Sequence, residues 1–258
     1  MSSPPHRDSV PPTPPVRFSV IAPDHVSIAV DFYQGASQRV ILIVPGFWRV
    51  RGHPVLVDLA RKAVQHGFSA AVMDLRGHGE SEGVFTFNRV EFADVQAVGR
   101  FLTRCSGASR LDLVGFSLGG SIVAAAAARG SDLPLGRLLL ISPVADFKQI
   151  RPHPNPFTIH RHLALAQALR RPRFEWSFMR SEKLRAVDEI RQVRIPVSIL
   201  HVKNDWLISH EHAQQLYDSA GGEKELHILD VPGHWHADRA LTEAAGGCEP
   251  VIERFFLK

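Results

Sequence analysis

The chain has 258 residues and a formal net charge of +4, with 45% hydrophobic and 22% charged residues. These values are typical of a globular protein whose core needs neither a metal nor disulfides for stability. Two cysteines exclude a disulfide scaffold, and the mild charge gives no indication of nucleic-acid binding. No uncharged apolar run reaches about 18 residues, so no membrane span is predicted and a cytoplasmic location is expected.

The first 15 residues contain six of the 18 prolines of the chain. They lack the apolar stretch that a secretory signal requires. Because proline favours an extended and solvated backbone, residues 1–15 are predicted to be a disordered tail, with a polyproline docking ligand as the alternative.

From Val16 onward, patterns typical of strands alternate with patterns typical of helices. The predicted strands are 16–22 and 26–33, which form a hairpin, followed by 39–44, 68–75, 111–116, 138–142, 195–202 and 226–231. The predicted helices are 54–65, 90–103, 118–129, 211–219 and 249–256. This alternation predicts an α/β fold with a mostly parallel central sheet and helices on both faces. Such sheets bind ligands beyond the carboxyl ends of their strands, so residues that follow a strand are the candidate site residues.

Residues 144–194 break this alternation, because they contain clustered prolines and no strand pattern. We interpret them as a cap insertion that covers the carboxyl edge of the sheet. The predicted organisation is therefore a tail at 1–15, a core formed by 16–143 and 195–258, and a short cap at 144–194.

The segment from Gly115 to Gly119 matches G-x-S-x-G and lies between a predicted buried strand and an alanine-rich helix. A strand-to-helix turn at Ser117 pushes its hydroxyl out of the sheet, and the helix N-terminus behind it favours developing negative charge. The two glycines leave room for the neighbouring backbone. Ser117 is therefore the candidate nucleophile, and a glycine-rich turn with an incidental serine is the alternative.

A serine nucleophile needs a base to take its proton, and the base needs an acid to orient it. For a nucleophile in this setting, the chain order is serine, acid and then histidine. Asp205 follows the predicted strand 195–202, while His234 and His236 follow the last strand. The sequence thus predicts a triad of Ser117, Asp205 and one of these two histidines.

Five segments carry a family resemblance, and they are PGFW (45–48), MDLRGHGES (73–81), GFSLGG (115–120), KNDWLIS (203–209) and VPGHWH (231–236). On these motifs the chain resembles the α/β-hydrolase superfamily, and most of all its serine-aminopeptidase-type branch, which includes monoacylglycerol-lipase-like enzymes. The resemblance implies an α/β-hydrolase fold. It also implies His236 as the base, because the base of that family commonly follows P-G-x-x-H. The chain departs from the family at Pro45, where a histidine is usual, and in its shorter cap.

An oxyanion hole requires two backbone N–H donors aimed at the developing charge. The predicted donors are the N–H groups of Leu118, directly after the nucleophile, and of Phe47, directly after Gly46. Trp48, His78 and Trp206, which lie in the matching segments, are the predicted substrate contacts. For His78, a solvated loop histidine is the alternative.

Together these residues predict a serine hydrolase that cleaves carboxylic esters, with small to medium or lipid-like acyl groups, through an acyl-enzyme. The expected partner is a small-molecule ester, and no cofactor, metal or nucleic acid is expected. An acyl-thioesterase, a small-peptide hydrolase or a C–C hydrolase would use the same triad. A non-catalytic binding protein on the same fold is the alternative from another class.

The cap insertion carries 11 Lys and Arg residues against five Asp and Glu residues, so the positive charge of the chain is concentrated there. A solvated helical face above an apolar acyl pocket is the ordinary interpretation of such a pattern. The alternative is attraction of an anionic substrate, or peripheral contact of the cap with an anionic lipid surface.

Overall fold

The computed structural model describes residues 14–130, 132–150, 172–175, 182–205, 207–232 and 255. The strands are β1 (Val16–Ile21), β2 (Ser27–Tyr33), β3 (Arg39–Val44), β4 (Ser69–Met73), β5 (Arg110–Phe116), β6 (Leu135–Ile141), β7 (Val197–Asn204) and β8 (Lys224–Pro232). The helices of the described part are α1 (Pro54–Gln65), α2 (Glu91–Ser106), α3 (Leu118–Arg129), α4 (Ala186–Glu189) and α5 (Glu211–Ser219), with short 3₁₀ turns at Phe147–Gln149 and Ile190–Gln192.

The eight strands form one sheet with the order β1-β2-β4-β3-β5-β6-β7-β8. The β1/β2 and β2/β4 pairs are antiparallel, and every other neighbouring pair is parallel. The predicted α/β fold with a mostly parallel sheet and an N-terminal hairpin is thereby confirmed. Because β3 to β8 run in one direction, their carboxyl ends meet at one edge of the sheet.

The alternation of side chains along β3 shows why its sequence is continuously apolar. Val40, Leu42 and Val44 belong to the core on one face of the sheet, while Ile41 and Ile43 belong to the core on the other. The first core is covered by α2, α3, α4 and α5, and the second is covered by α1 and Phe255. A strand buried on both faces has no position left for a polar side chain.

The predicted boundaries differ from the structure at several strands. The sixth strand begins at Leu135, three residues before its predicted start, because Leu111 pairs with Leu135 ahead of a register shift in the ladder. The hydrophobic pattern does not predict this extension, because Gly136 and Arg137 interrupt the apolar run. The seventh strand continues to Asn204, two residues beyond its predicted end.

Two predictions fall mainly outside the described part of the chain. The tail is described only at residues 14 and 15, and the C-terminal helix only at Phe255, which is helical and buried. The division into core and cap stays a prediction. In the residues described, no helix combines the length and apolar character needed to cross a bilayer.

Candidate active site

The carboxyl edge of the sheet brings the ends of four neighbouring strands together. Ser117 follows β5, Ser142 follows β6, Asp205 follows β7, and the segment from residue 233 onward follows β8. Neighbouring strands are about 5 Å apart, so the strand of Ser117 and that of Asp205 are separated by about 10 Å along this edge. A histidine ring that is hydrogen-bonded to a serine on one side and to a carboxylate on the other spans a gap of this size.

Ser117 has a strained backbone at the turn between β5 and α3, with φ 52° and ψ −119°. The turn is fixed on both sides, because the Ser117 N–H donates to the carbonyl of Ile141 at 2.8 Å and the Ser117 carbonyl accepts from Gly120 N–H at 2.9 Å. A non-glycine residue in such a conformation costs about 1–3 kcal/mol, and strain of this kind clusters at active sites. The half-buried Ser117 lies at the N-terminal end of α3.

The two glycines of the motif allow α3 to approach the sheet closely. A Cβ on Gly115 would lie 2.5 Å from the Gly119 carbonyl oxygen, and a Cβ on Gly119 would lie 2.6 Å from the Val44 carbonyl oxygen. Any larger residue at either position would push the first turn of α3 away from β3 and β5. The sequence prediction for these glycines matches this packing.

The loop after β3 runs directly beside the turn that contains Ser117. A Cβ on Gly46 would lie 3.0 Å from Ser117 Cβ and 3.7 Å from Ser117 Oγ. Residues 46–49 form a turn closed by Arg49 N–H donating to the Gly46 carbonyl at 3.2 Å. Phe47 and Trp48 are its central residues, and Trp48 has a φ of 80°, which a type II turn normally reserves for glycine. The turn that carries the predicted donor Phe47 is therefore strained and adjacent to Ser117.

Leu118, the other predicted donor, is the first residue of α3. The first N–H groups of a helix have no partner within the helix, and they point toward its N-terminal end. Both predicted donors thus belong to segments that flank Ser117.

Phe47 lies at the centre of a group of aromatic rings, here called the Phe47 cluster. The ring centroids of the cluster lie 4.7–6.0 Å from that of Phe47, and they belong to Trp48, His78, Phe85, Phe87 and Phe174. Phe85 and Phe87 are buried, while Phe47, Trp48 and Phe174 are half-buried. Aromatic contacts of this density hold the Phe47 side chain in one position and form an apolar wall near Ser117.

The structure corrects one alternative for His78. Its side chain is 2% exposed, its ring packs against Phe47 and Phe85, and its Nδ1 lies 3.1 Å from the Arg76 carbonyl oxygen. A solvated loop histidine is therefore wrong. The loop folds inward because Gly77 pairs with Arg173 and a buried aromatic neighbourhood covers the ring.

The described part of the cap is joined to the loop that carries His78. Arg173 N–H donates to the Gly77 carbonyl at 2.8 Å, Phe85 N–H donates to the Arg173 carbonyl at 2.9 Å, and Glu175 N–H donates to the Phe85 carbonyl at 2.9 Å. This short ladder places Phe174 against the Phe47 cluster. No pattern in the sequence predicts this contact, because Phe174 is far from Phe47 in the chain.

Asp205 is half-buried at the end of β7, and its carboxylate is held by the backbone. Oδ1 accepts the N–H groups of Leu207 and Ile208, each at 2.9 Å. Two bonds to one oxygen fix the plane of the carboxylate, so that its orientation does not depend on the group it would hold. This is the behaviour required of an acid that orients a base.

Positive charge lies beside the Phe47 cluster. The Lys183 ammonium lies 5.4 Å from the centroid of Phe147, whose ring in turn contacts Phe87 at 5.1 Å. Burial lowers the pKa of Lys183, and the nearby charge of Lys148 lowers it further, against an opposing effect of Glu175. In the turn that contains Phe47, burial lowers the pKa of Arg49 to about 10.

Three predicted site residues, His234, His236 and Trp206, lie outside the described part of the chain. Within that part, no group of three or more His, Cys, Asp and Glu residues is arranged to hold a metal ion. The structure also draws attention to two residues that the sequence did not single out. Ser142 follows β6 with a φ of 44°, and its buried Oγ has no hydrogen-bond partner among the described residues. Arg51 is buried with three carboxylates around it.

The comparison with known families agrees with this architecture. The α/β-hydrolase fold family matches residues 39–185, which include β3 to β6 and Ser117. The chain belongs to the α/β-hydrolase fold family. Its branch within that family stays a prediction.

One curated relative and many solved structures are similar to the chain. Lysophosphatidylserine lipase ABHD12 of Danio rerio is 26% identical over 199 residues, which are 74% of this chain and 50% of that protein, so the chain spans about half the length of this relative. An esterase of Pyrococcus furiosus, Pf2001, superposes with a TM-score of 0.73 at 17% identity, covering 94% of this chain and 90% of the esterase. An α/β serine hydrolase homologue from Coxiella burnetii gives a TM-score of 0.65 at 17% identity, with 93% and 96% covered. At such identities, the solved structures show the fold.

Proposed function

We propose that the protein is a serine hydrolase that cleaves carboxylic esters through an acyl-enzyme on Ser117. The observation that carries this proposal is the strained Ser117 at the N-terminus of α3, packed against the turn that contains Phe47. In an ordinary turn, glycine would adopt this conformation without strain and would be more stable than serine. A strained serine at this position is explained by a role as nucleophile, because the turn exposes its hydroxyl. The family of the chain and its esterase-type relatives support the same activity.

In the proposed mechanism, Ser117 Oγ attacks the ester carbonyl while His236 takes its proton. Asp205 orients the imidazole and stabilises its positive charge. The N–H groups of Phe47 and Leu118 stabilise the oxyanion of the tetrahedral intermediate. His236 then gives the proton to the leaving alcohol, and the acyl group stays on Ser117. Water attacks this acyl-enzyme by the same steps and releases the carboxylic acid.

We further propose that the substrate combines an apolar acyl group with an anionic group. The Phe47 cluster offers an apolar wall beside Ser117, and the basic pair Lys148 and Lys183 lies at Phe147 near the same rings. The similar lipase from Danio rerio is named for lysophosphatidylserine, which is an ester of this chemical type. Trp48 and Trp206 are the proposed substrate contacts, while the buried His78 is proposed to support the Phe47 ring from behind. The cytoplasmic location stays a prediction.

A panel of p-nitrophenyl esters from acetate to palmitate tests the activity. We expect hydrolysis by the wild type and a loss of several orders of magnitude in Ser117→Ala. Equal rates in the two proteins would contradict the proposal. If the wild type is active, the acyl length with the highest kcat/KM shows how long an acyl chain the apolar wall accommodates.

A further inference from the structure

Arg51, in the loop between β3 and α1, is 7% exposed, and its guanidinium group contacts three carboxylates. Nε donates to Asp31 at 2.8 Å, while the two terminal nitrogens donate to Asp74 and Glu80. Burial on its own lowers the pKa of Arg51, but hydrogen bonds to Asp31 and Glu80 and the charge of Asp74 raise this pKa above its ordinary value. The guanidinium is therefore charged, and we call these four residues the Arg51 clasp.

Asp74, which follows β4, holds the backbone of two loops at once. Its side chain is fully buried, and its carboxylate accepts Arg51 N–H at 2.7 Å and Glu80 N–H at 2.9 Å, besides the Arg51 guanidinium. A buried carboxylate is costly unless its hydrogen bonds are complete, so these bonds fix the relative position of both loops. No pattern along the chain predicts that Asp74 reaches the loop after β3.

The clasp acts on the segment that contains Phe47. Two turns follow one another here, the first closed by Arg49 N–H and the Gly46 carbonyl and the second by His53 N–H and the Val50 carbonyl. Arg51 is a central residue of the second turn, two residues after Arg49. The strained φ of Trp48 belongs to the first turn. Strained backbone persists only where its surroundings fix it, and here the Phe47 cluster does so on one side and the clasp on the other.

We propose that Asp74 and Arg51 are positioning residues of the oxyanion hole, which hold residues 46–49 so that Phe47 N–H faces the reacting carbonyl. This inference rests on the proposed hydrolase function. An oxyanion donor contributes only when it is already aimed at the position of the developing charge. Loss of the clasp would therefore weaken binding of the transition state more than binding of the ester.

The test compares three clasp variants with a matched control. Asp74→Asn places an amide nitrogen where N–H groups now donate, and Arg51→Lys removes the forked guanidinium. Glu80→Gln changes a side chain that is 73% exposed, so we expect this variant to fold like the wild type. The control is Asp112→Asn, because Asp112 is also buried and accepts from two arginines, Arg39 and Arg110, at the amino edge of the same sheet. Each protein is assayed for kcat, KM, thermal unfolding and inhibition by a trifluoromethyl ketone that mimics the tetrahedral intermediate.

We expect kcat to fall about 10-fold to 100-fold in Asp74→Asn and Arg51→Lys, with KM changed by less than about threefold. Inhibition by the ketone should weaken by the same factor as kcat, and Glu80→Gln should show a smaller change in the same direction. Asp112→Asn should lower the unfolding temperature but leave kcat unchanged. The inference is overturned if the folded clasp variants keep wild-type kcat, or if Asp112→Asn loses as much kcat as they do. If the wild type itself hydrolyses no ester, the proposed function fails instead.

Discussion

Gly46 lies directly against Ser117, since a Cβ on Gly46 would lie 3.0 Å from Ser117 Cβ and 3.2 Å from the Phe116 carbonyl oxygen. This close approach brings the turn after β3 against the Ser117 turn after β5. Because the proposed oxyanion donor Phe47 directly follows Gly46, the spacing between donor and nucleophile depends on this one glycine.

Gly46→Ala tests that dependence. The added methyl group would lie too close to Ser117 Cβ, so residues 46–49 must move away by a few tenths of an ångström. Because a misplacement near 1 Å lowers the rate by about 100-fold, we expect this smaller shift to lower kcat by about 10-fold while the fold is retained. Gly52→Ala is the matched control, since Gly52 lies in the same loop with no atom within 4 Å of a built Cβ. A Gly46→Ala protein as active as Gly52→Ala would show that the loop does not contribute to catalysis.

The choice between the two histidines after β8 is tested by substitution. His236→Ala should lower kcat by several orders of magnitude, since only the oxyanion hole and substrate binding would remain. His234→Ala should cost much less. The reverse pattern, measured with the same p-nitrophenyl ester, would make His234 the base.

Salt dependence tests the proposed anionic group of the substrate. Exposed charges are screened over about 10 Å at 0.1 M salt and over about 3 Å at 1 M. For an ester with an anionic group, kcat/KM should fall steeply over this range, while a neutral ester of equal acyl length should barely respond. Replacing Lys148 and Lys183 with Gln should remove the difference.

A charge-matched control for this experiment replaces Arg61 and Arg104 with Gln, because both are exposed on helices away from the cap. This control should keep the salt response of the wild type. Equal salt dependence for the anionic and the neutral ester would contradict the proposed attraction of an anionic substrate. The basic residues of the cap would then form only a solvated surface.

His212 predicts an acid-sensitive step in stability. Its side chain is 2% exposed, and its Nδ1 accepts the N–H of Ala145 at 3.1 Å. Burial lowers the pKa of His212, against opposing effects of the Gln149 backbone and of the charges on Asp146, Glu211 and Asp205. As the pH falls, His212 is therefore protonated at a higher pH in the unfolded chain than in the folded chain. The free energy of unfolding then decreases below the pKa of the unfolded state, which is near 6.5.

Urea unfolding of the wild type and of His212→Asn, whose Oδ1 keeps an acceptor but does not titrate, isolates this effect. Below about pH 6.5, the wild type should lose up to about 1.4 kcal/mol per pH unit more than the variant. Parallel pH profiles would show that His212 does not contribute.

The sequence predicted the features of this protein that arise from local patterns. Apolar runs placed the strands, and glycine spacing around Ser117 placed the nucleophile turn, because close packing there tolerates no side chain. The Arg51 clasp was missed, since its carboxylates come from β2, the end of β4 and a loop, and no pattern along the chain pairs them. The burial of His78 was missed for the same reason, because Phe47, whose ring packs on it, and Arg173, which pairs with the neighbouring Gly77, lie far from it in the chain.

The nucleophilic role of Ser117 is the central claim, and labelling with a fluorophosphonate probe tests it most directly. The serine oxygen displaces fluoride from the probe and becomes phosphonylated, which requires a base and an oxyanion hole that activate it. Peptide mapping by mass spectrometry should find one label per wild-type chain, on Ser117, and none in Ser117→Ala. An unlabelled wild type, or equal labelling of both proteins at another residue, would contradict the account.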